Sequence, residues 1–131
     1  MYMAACPETG ETYSLILPYV NDVCMNIFMK EVSEAFSHYR MIMVMDRASW
    51  HTGNKTKNRE NIIPLFKPPY SPELNPVENL WHHIREEGGF KNTTFNTLDD
   101  VETKLEEYLK NLDKDDVKSI TLFSWIKNAI C

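Results

Sequence analysis

The alternation of apolar and polar positions divides this chain into short, readable segments. Met1–Cys6 is apolar, and Pro7, Glu8, Thr9 and Gly10 follow as a turn in which Gly can take a positive φ. From Glu11 to Tyr19, the residues Tyr13, Leu15, Leu17 and Tyr19 recur at every second position, the period of a half-buried strand. Together the two segments predict a β-hairpin. Asn21 and Asp22 can cap a helix that starts near Val23 and ends near His38. On it Val23, Ile27, Phe28, Val32, Ala35 and Phe36 recur at helical spacing, with Lys30, Glu31 and Glu34 largely opposite. Met41–Met45 is an unbroken apolar run followed at once by Asp46, the pattern of a strand buried on both faces. Residues 47–60 are polar and hold Gly53, Asn54 and several Lys and Arg, which predicts a loop or a short exposed helix. Ile62–Phe66 predicts a further strand.

Lys67–Pro76 carries four of the seven prolines and cannot be regular structure. Asn75 then reads as an N-cap with Pro76 at the first helical position. Val77, Leu80, Trp81 and Ile84 form the apolar stripe of a helix that runs to about Glu87, where Gly88 and Gly89 stop it. Leu98–Leu112 is amphipathic through Leu98, Val101, Leu105, Tyr108, Leu109 and Leu112, and a last helix is expected over Val117–Ala129. The order is mixed α/β, and one sheet with helices on its faces would bury it. No repeat, low-complexity tract or domain linker interrupts it.

Composition narrows the class. With 131 residues, 43% hydrophobic and 25% charged, the chain has the balance of one globular domain. A disordered tail, a collagen-like rod and a disulfide-dense toxin are excluded. The formal net charge of −5 argues against a chain that holds nucleic acid by bulk charge. Cys6, Cys24 and Cys131 are odd in number and widely spaced, so neither a disulfide framework nor a zinc site is expected. No apolar stretch approaches the roughly 20 residues of a membrane helix, and Met1–Pro7 lacks the basic region of a secretory leader. The expectation is a cytoplasmic chain with no membrane association.

Two acids stand where chemistry is placed. Asp46 follows the most apolar strand, and ligands of open α/β sheets bind outside the carboxyl ends of strands. Its carboxylate suits Mg²⁺, although an Asp at a strand exit also serves simply to begin a turn. Glu78 occupies the third helical position after Asn75, close to a capping box, and a carboxylate in a first helical turn is also kept ionised by the helix dipole. Glu78, His82 and His83 share a helix, yet they lack the H-E-x-x-H order and a third ligand for zinc.

Read together, these segments resemble a known family. Val44-Met45-Asp46-Arg47-Ala48-Ser49-Trp50-His51 is similar to the signature of an apolar strand, Asp, Asn, Ala, two residues and His found in transposases. The stretch from Pro68 to Trp81, PPYSPELNPVENLW, resembles their segment P-P-Y-S-P-x-L-N-P-I-E-x-x-W almost without a break. The chain is thereby identified as resembling the DDE superfamily endonucleases of bacterial insertion sequences, on the mariner-like branch. Asp46 and Glu78 lie 32 positions apart, near the spacing typical of that family. The resemblance implies a ribonuclease-H-like mixed sheet with flanking helices. It implies three acids that hold two divalent ions, Mg²⁺ or Mn²⁺, for attack on a DNA phosphodiester at transposon ends. Asp46 matches the second acid and Glu78 the third, as catalytic and metal-holding residues. His51 and Asn75 match residues that line the site, Tyr70 and Trp81 match aromatics, and Trp81 reads as core. Lys55, Lys57, Arg59 and Lys67 form the local basic cluster and are candidates for DNA phosphates.

The chain departs from the family pattern at its start. It opens in what reads as the hairpin after the family's first strand, so no residue here matches the first acid, and the family's DNA-reading helix-turn-helix is not expected among these residues. Arg47 stands where Asn is common. The expectation is an N-terminally incomplete catalytic domain over residues 1–131, lacking the first strand. Its bare sheet edges would be met by a second copy or by a different packing of its own hairpin, and a separate N-terminal transposase part is a further expected partner. The alternative is an inactive remnant that survives as a folded or protein-interaction module.

Overall fold

The computed structural model describes residues 1–46 and 59–130, with only the backbone of 129 and 130, and these residues form two pairs of short strands separated by one helix and followed by four more helices. The order is β1 (Tyr2–Ala5), β2 (Thr12–Leu15), α1 (Asp22–Ala35), β3 (Met41–Met45), β4 (Ile62–Phe66), α2 (Pro76–Glu87), α3 (Leu98–Asn111), α4 (Lys114–Thr121) and α5 (Ser124–Ile130). The chain divides into two compact units, Met1–Met3 with Tyr13–Asn75, and Ala4–Thr12 with Pro76–Cys131. The architecture is mixed α/β. The strands do not form the single sheet expected: among the described residues β1 pairs with β2, and β3 pairs separately with β4.

The hairpin turns where Gly10 allows it. The Cys6 amide donates to the Glu11 carbonyl (2.8 Å), the Gly10 amide donates to Cys6 (2.8 Å), and Gly10 has φ +75°. A Cβ at Gly10 would run into the Lys114 carbonyl at the start of α4, so this position needs glycine for space as well as for φ. Beside it Lys114 pairs with Glu11 at 3.3 Å.

In the first unit Asn21 caps α1, its side chain accepting from the Cys24 amide at 2.9 Å. The buried face of α1 is Cys24, Met25, Phe28, Met29 and Val32. Val23 and Ile27, expected on that face, are exposed, because the helix is rotated to place the Met and Cys side chains inward. The helix ends at Ala35 rather than near His38. Asn61 stops it: its Nδ2 donates to the carbonyls of Ser33 (3.1 Å) and Phe36 (3.3 Å), and Ser33 Oγ donates to its Oδ1 (2.5 Å). These bonds satisfy carbonyls that a helix end leaves bare, and they join α1 to the start of β4.

β3 and β4 are parallel and keep the bounds expected from the sequence, with Met41 opposite Ile62 and Met45 opposite Phe66. The Met41 amide donates to Asn61 (2.8 Å) and the Lys67 amide to Met45 (3.0 Å). Odd-numbered residues of β4 therefore face the ladder, and Pro64 falls on an even position, where its missing N–H removes no bond between the strands. The strands are not buried on both faces. Met45 and Ile62 are buried, whereas Ile42, Ile63 and Leu65 are 69%, 60% and 55% exposed on the opposite face.

In the second unit α2 packs on α4, and the core is Leu80, Ile84, Val117, Thr121 and Ile126. Trp81 is only half-buried. The Gly88 amide closes α2 on Ile84 at 3.0 Å, and Gly89 turns away at φ +71°. Thr97 and Asp100 form a capping box on α3, whose apolar stripe is half-buried and whose Leu98 is exposed. The expected last helix is two helices. Asp113 caps the first, earlier than expected, and the break follows Thr121. The Thr121 hydroxyl donates back to the Val117 carbonyl at 2.6 Å, a contact that bends helices, and Leu122 leaves helical geometry.

Replacing Gly10 by Ala is expected to cost about 2–4 kcal/mol in urea unfolding, from positive φ and the clash with Lys114 together. Asn61→Ala should cost about 1–2 kcal/mol in the same assay, through loss of the helix-end hydrogen bonds.

Candidate functional site

The carboxyl ends of β3 and β4 bring a carboxylate and an ammonium together. The parallel register that sets Met45 opposite Phe66 sets the next residues, Asp46 and Lys67, side by side. Lys67 Nζ lies 2.6 Å from Asp46 Oδ1. The two groups differ sharply in surroundings, since the Lys67 side chain is 3% exposed and that of Asp46 is 61% exposed. The same ammonium donates to the Ser71 carbonyl at 3.0 Å. A buried ammonium needs such partners, because burial without them costs several kcal/mol.

The loop after Lys67 is shaped by its prolines and by this contact. Ser71 Oγ donates to the Pro69 carbonyl at 3.4 Å, and Pro72–Leu74 forms a single 3-10 turn closed by the Asn75 amide on Pro72 at 2.9 Å. Between them Tyr70 sits at φ +59° with its side chain fully exposed. A bulky residue in the left-handed region is an uncommon conformation that costs of order 1–3 kcal/mol. No sequence signal marked Tyr70 for this beyond the flanking prolines. Asn75 has the extended backbone of a residue that precedes a helix.

Glu78 stands in the first turn of α2 and is exposed. It belongs to the second unit. In that unit Asn79, His82, His83, Glu86, Glu87 and Ile120 line a shallow cleft. Asn79 Nδ2 donates to the Ile120 carbonyl at 3.3 Å, and the His83 ring lies 6.2 Å from that of Tyr108. The hydrogen bond from Lys91 holds the Glu86 carboxyl below the usual carboxylate range, and burial pushes the Tyr108 phenol up.

Of the remaining candidates, His51, Lys55 and Lys57 lie outside the described residues. Arg59 is half-buried and bridges to Ile62. Lys67 is directed at Asp46, a placement that depends on strand register and was not visible in a cluster of basic residues.

A carboxylate is the right donor for a hard divalent ion. In the arrangement described, though, an ammonium already contacts Asp46 Oδ1, and among the described residues no three His, Cys, Asp or Glu side chains gather as a metal-holding group. This donor set does not fit a divalent ion as it stands. Among the described residues no helix is long and apolar enough to cross a membrane.

Comparison with known proteins gives the family. The chain is 36% identical over 104 residues to the uncharacterized protein y4pE/y4sA of Sinorhizobium fredii strain NGR234, an alignment that covers 79% of this chain and 76% of that protein. No solved structure matches it. Residues 1–102 match the family described as DDE superfamily endonuclease, a stretch that includes both Asp46 and Glu78. The chain belongs to the DDE superfamily endonuclease family.

Proposed function

We propose that this chain is the C-terminal part of a transposase catalytic domain of the mariner-like branch, with a ribonuclease-H-like fold whose first strand lies outside these residues. It acts on the DNA ends of an insertion sequence, in the cytoplasm, through metal-dependent strand cleavage and transfer. The observation that supports this reading best is the family match over residues 1–102, within which Asp46 directly follows a parallel strand. Asp46 and Glu78 are the proposed catalytic and metal-holding carboxylates, with His51 and Asn75 lining the site. Lys55, Lys57 and Arg59 are proposed to meet phosphates, and Lys67 belongs with them by sequence but with Asp46 by position. The proposed ions are two Mg²⁺ or Mn²⁺, which when bound supply the charge that stabilises a phosphodiester displacement. The first acid comes from a preceding segment or a second chain, and a homodimer is the assembly that tests the second route.

The experiment is complementation. The chain is joined to, or mixed with, a segment carrying the first strand and its acid, and nicking of insertion-sequence end DNA is followed with Mg²⁺ present. Asp46→Ala and Glu78→Ala are each expected to lower cleavage to about a thousandth or less, the scale of losing one member of a catalytic set. Cleavage unchanged in both variants refutes the assignment. If no complemented form cuts DNA, the chain is an inactive module.

Stability must be measured on the same proteins, because Asp46→Ala removes the carboxylate from a buried ammonium. Its expected cost is about 1–3 kcal/mol, reduced from that of a fully buried pair by the exposure of Asp46. Lys67→Met keeps the apolar stem and removes the buried charge, so it should cost under about 1 kcal/mol. Urea unfolding reads both.

A further inference from the structure

At Tyr70 the backbone favours one residue type and the chain carries another. Its φ of +59° lies in the left-handed region, which glycine enters freely and a bulky residue does not. The ring offsets none of that strain inside the fold, since the residue is 100% exposed. The conformation is nonetheless held from both sides. Pro68 and Pro69 precede it and Pro72 follows, each with φ fixed by its own ring. The Ser71 carbonyl accepts from Lys67 Nζ at 3.0 Å, and Ser71 Oγ donates to the Pro69 carbonyl at 3.4 Å across Tyr70. The same ammonium contacts Asp46, so the turn that carries Tyr70 is fastened to the strand exit that carries Asp46. A tyrosine has only two side-chain torsions, and a ring set on a fixed turn loses little freedom when it meets a flat partner. Strain that the surroundings enforce, under a side chain that the fold does not use, marks a residue that works on something outside the chain.

We propose that Tyr70 is a base-stacking residue, whose ring lies on an unpaired nucleobase of the DNA brought to the exit of β3. This rests on the reading of the chain as acting on DNA at Asp46, and the stacking itself needs no metal. A base is the partner that one projecting ring can hold, because stacking uses a single π-face and tolerates any base. A protein interface needs a cluster of apolar anchors, and from Lys67 to Glu73 the turn has no other large apolar side chain. A base inside a duplex has both faces covered, so the ring must meet one that is out of the stack.

The test uses the full chain, without divalent ions, and two duplexes of one sequence, one fully paired and one with a single unpaired thymine. Fluorescence anisotropy reads the affinity. The chain is expected to prefer the duplex with the unpaired base, and Tyr70→Ala to lower the affinity for it about five- to a hundredfold, the range for loss of one stacked base. Tyr70→Trp should keep the affinity. The loss in Tyr70→Ala should leave the salt dependence unchanged, because no phosphate contact is removed. Tyr70→Gly separates binding from folding: it should lose affinity as Tyr70→Ala does, yet unfold at no lower urea concentration than the unaltered chain, since glycine relieves the positive φ. With 5-iodouracil as the unpaired base, ultraviolet irradiation is expected to crosslink it to Tyr70, as read by mass spectrometry. Equal affinity of Tyr70→Ala and the unaltered chain, an equal loss on both duplexes, or a crosslink only at another residue overturns the stacking and leaves the DNA reading intact. An absence of binding to either duplex overturns both.

Discussion

The parallel pairing of β3 with β4 is the constraint on which the candidate site depends. Its register determines which residues leave the sheet side by side. A shift of one position would set Asp46 against Phe66 or Pro68, neither of which offers a charge. The register is itself held by local choices. Asn61 ties the end of α1 to the start of β4, and Pro64 occupies a position that owes no bond to β3. Helix end, strand start and strand exit are thus parts of one short chain of contacts within the first unit.

The elements of local periodicity were legible in the sequence. Met41–Met45 and Ile62–Phe66 fall where their apolar runs predict, because a run bounded by polar residues and prolines has little choice of ends. The Asn21 cap and the Gly88 stop are equally local. What failed to show was whatever depends on partners. The burial face of α1 depends on the rest of the unit: Val23 and Ile27 have core spacing, yet packing turns them outward. The break after Thr121 carries no Gly or Pro to mark it, and the Thr121 hydroxyl bonds back to the Val117 carbonyl beside it. At the site the carboxylate was legible from its position after a strand. Its counter-ion was not, since Lys67 lies 21 positions further on and reads as one more member of a basic cluster.

Charge gives the same lesson at larger scale. A net charge of −5 argues against binding DNA by bulk attraction, and the description of Lys67 sharpens that argument. A lysine buried on a carboxylate contributes nothing to a phosphate-binding surface, so a count of basic residues overstates the positive surface offered by the described residues. Membership of a DNA-acting endonuclease family and an acidic chain are compatible when contact with nucleic acid is concentrated at a site rather than spread over the fold.

The two members of the Asp46–Lys67 pair have unequal surroundings. For the buried ammonium of Lys67 the carboxylate must stay in place, and its loss leaves a charge without this partner in a poorly solvated position. The carboxylate itself is 61% exposed, so its partner is enclosed while it stands at the surface. A pair with both members buried would carry the full cost of desolvating two charges, and one with both members exposed would contribute little. With the cation buried and the anion at the surface, the strand-exit carboxylate is held in register at the desolvation cost of one charge rather than two.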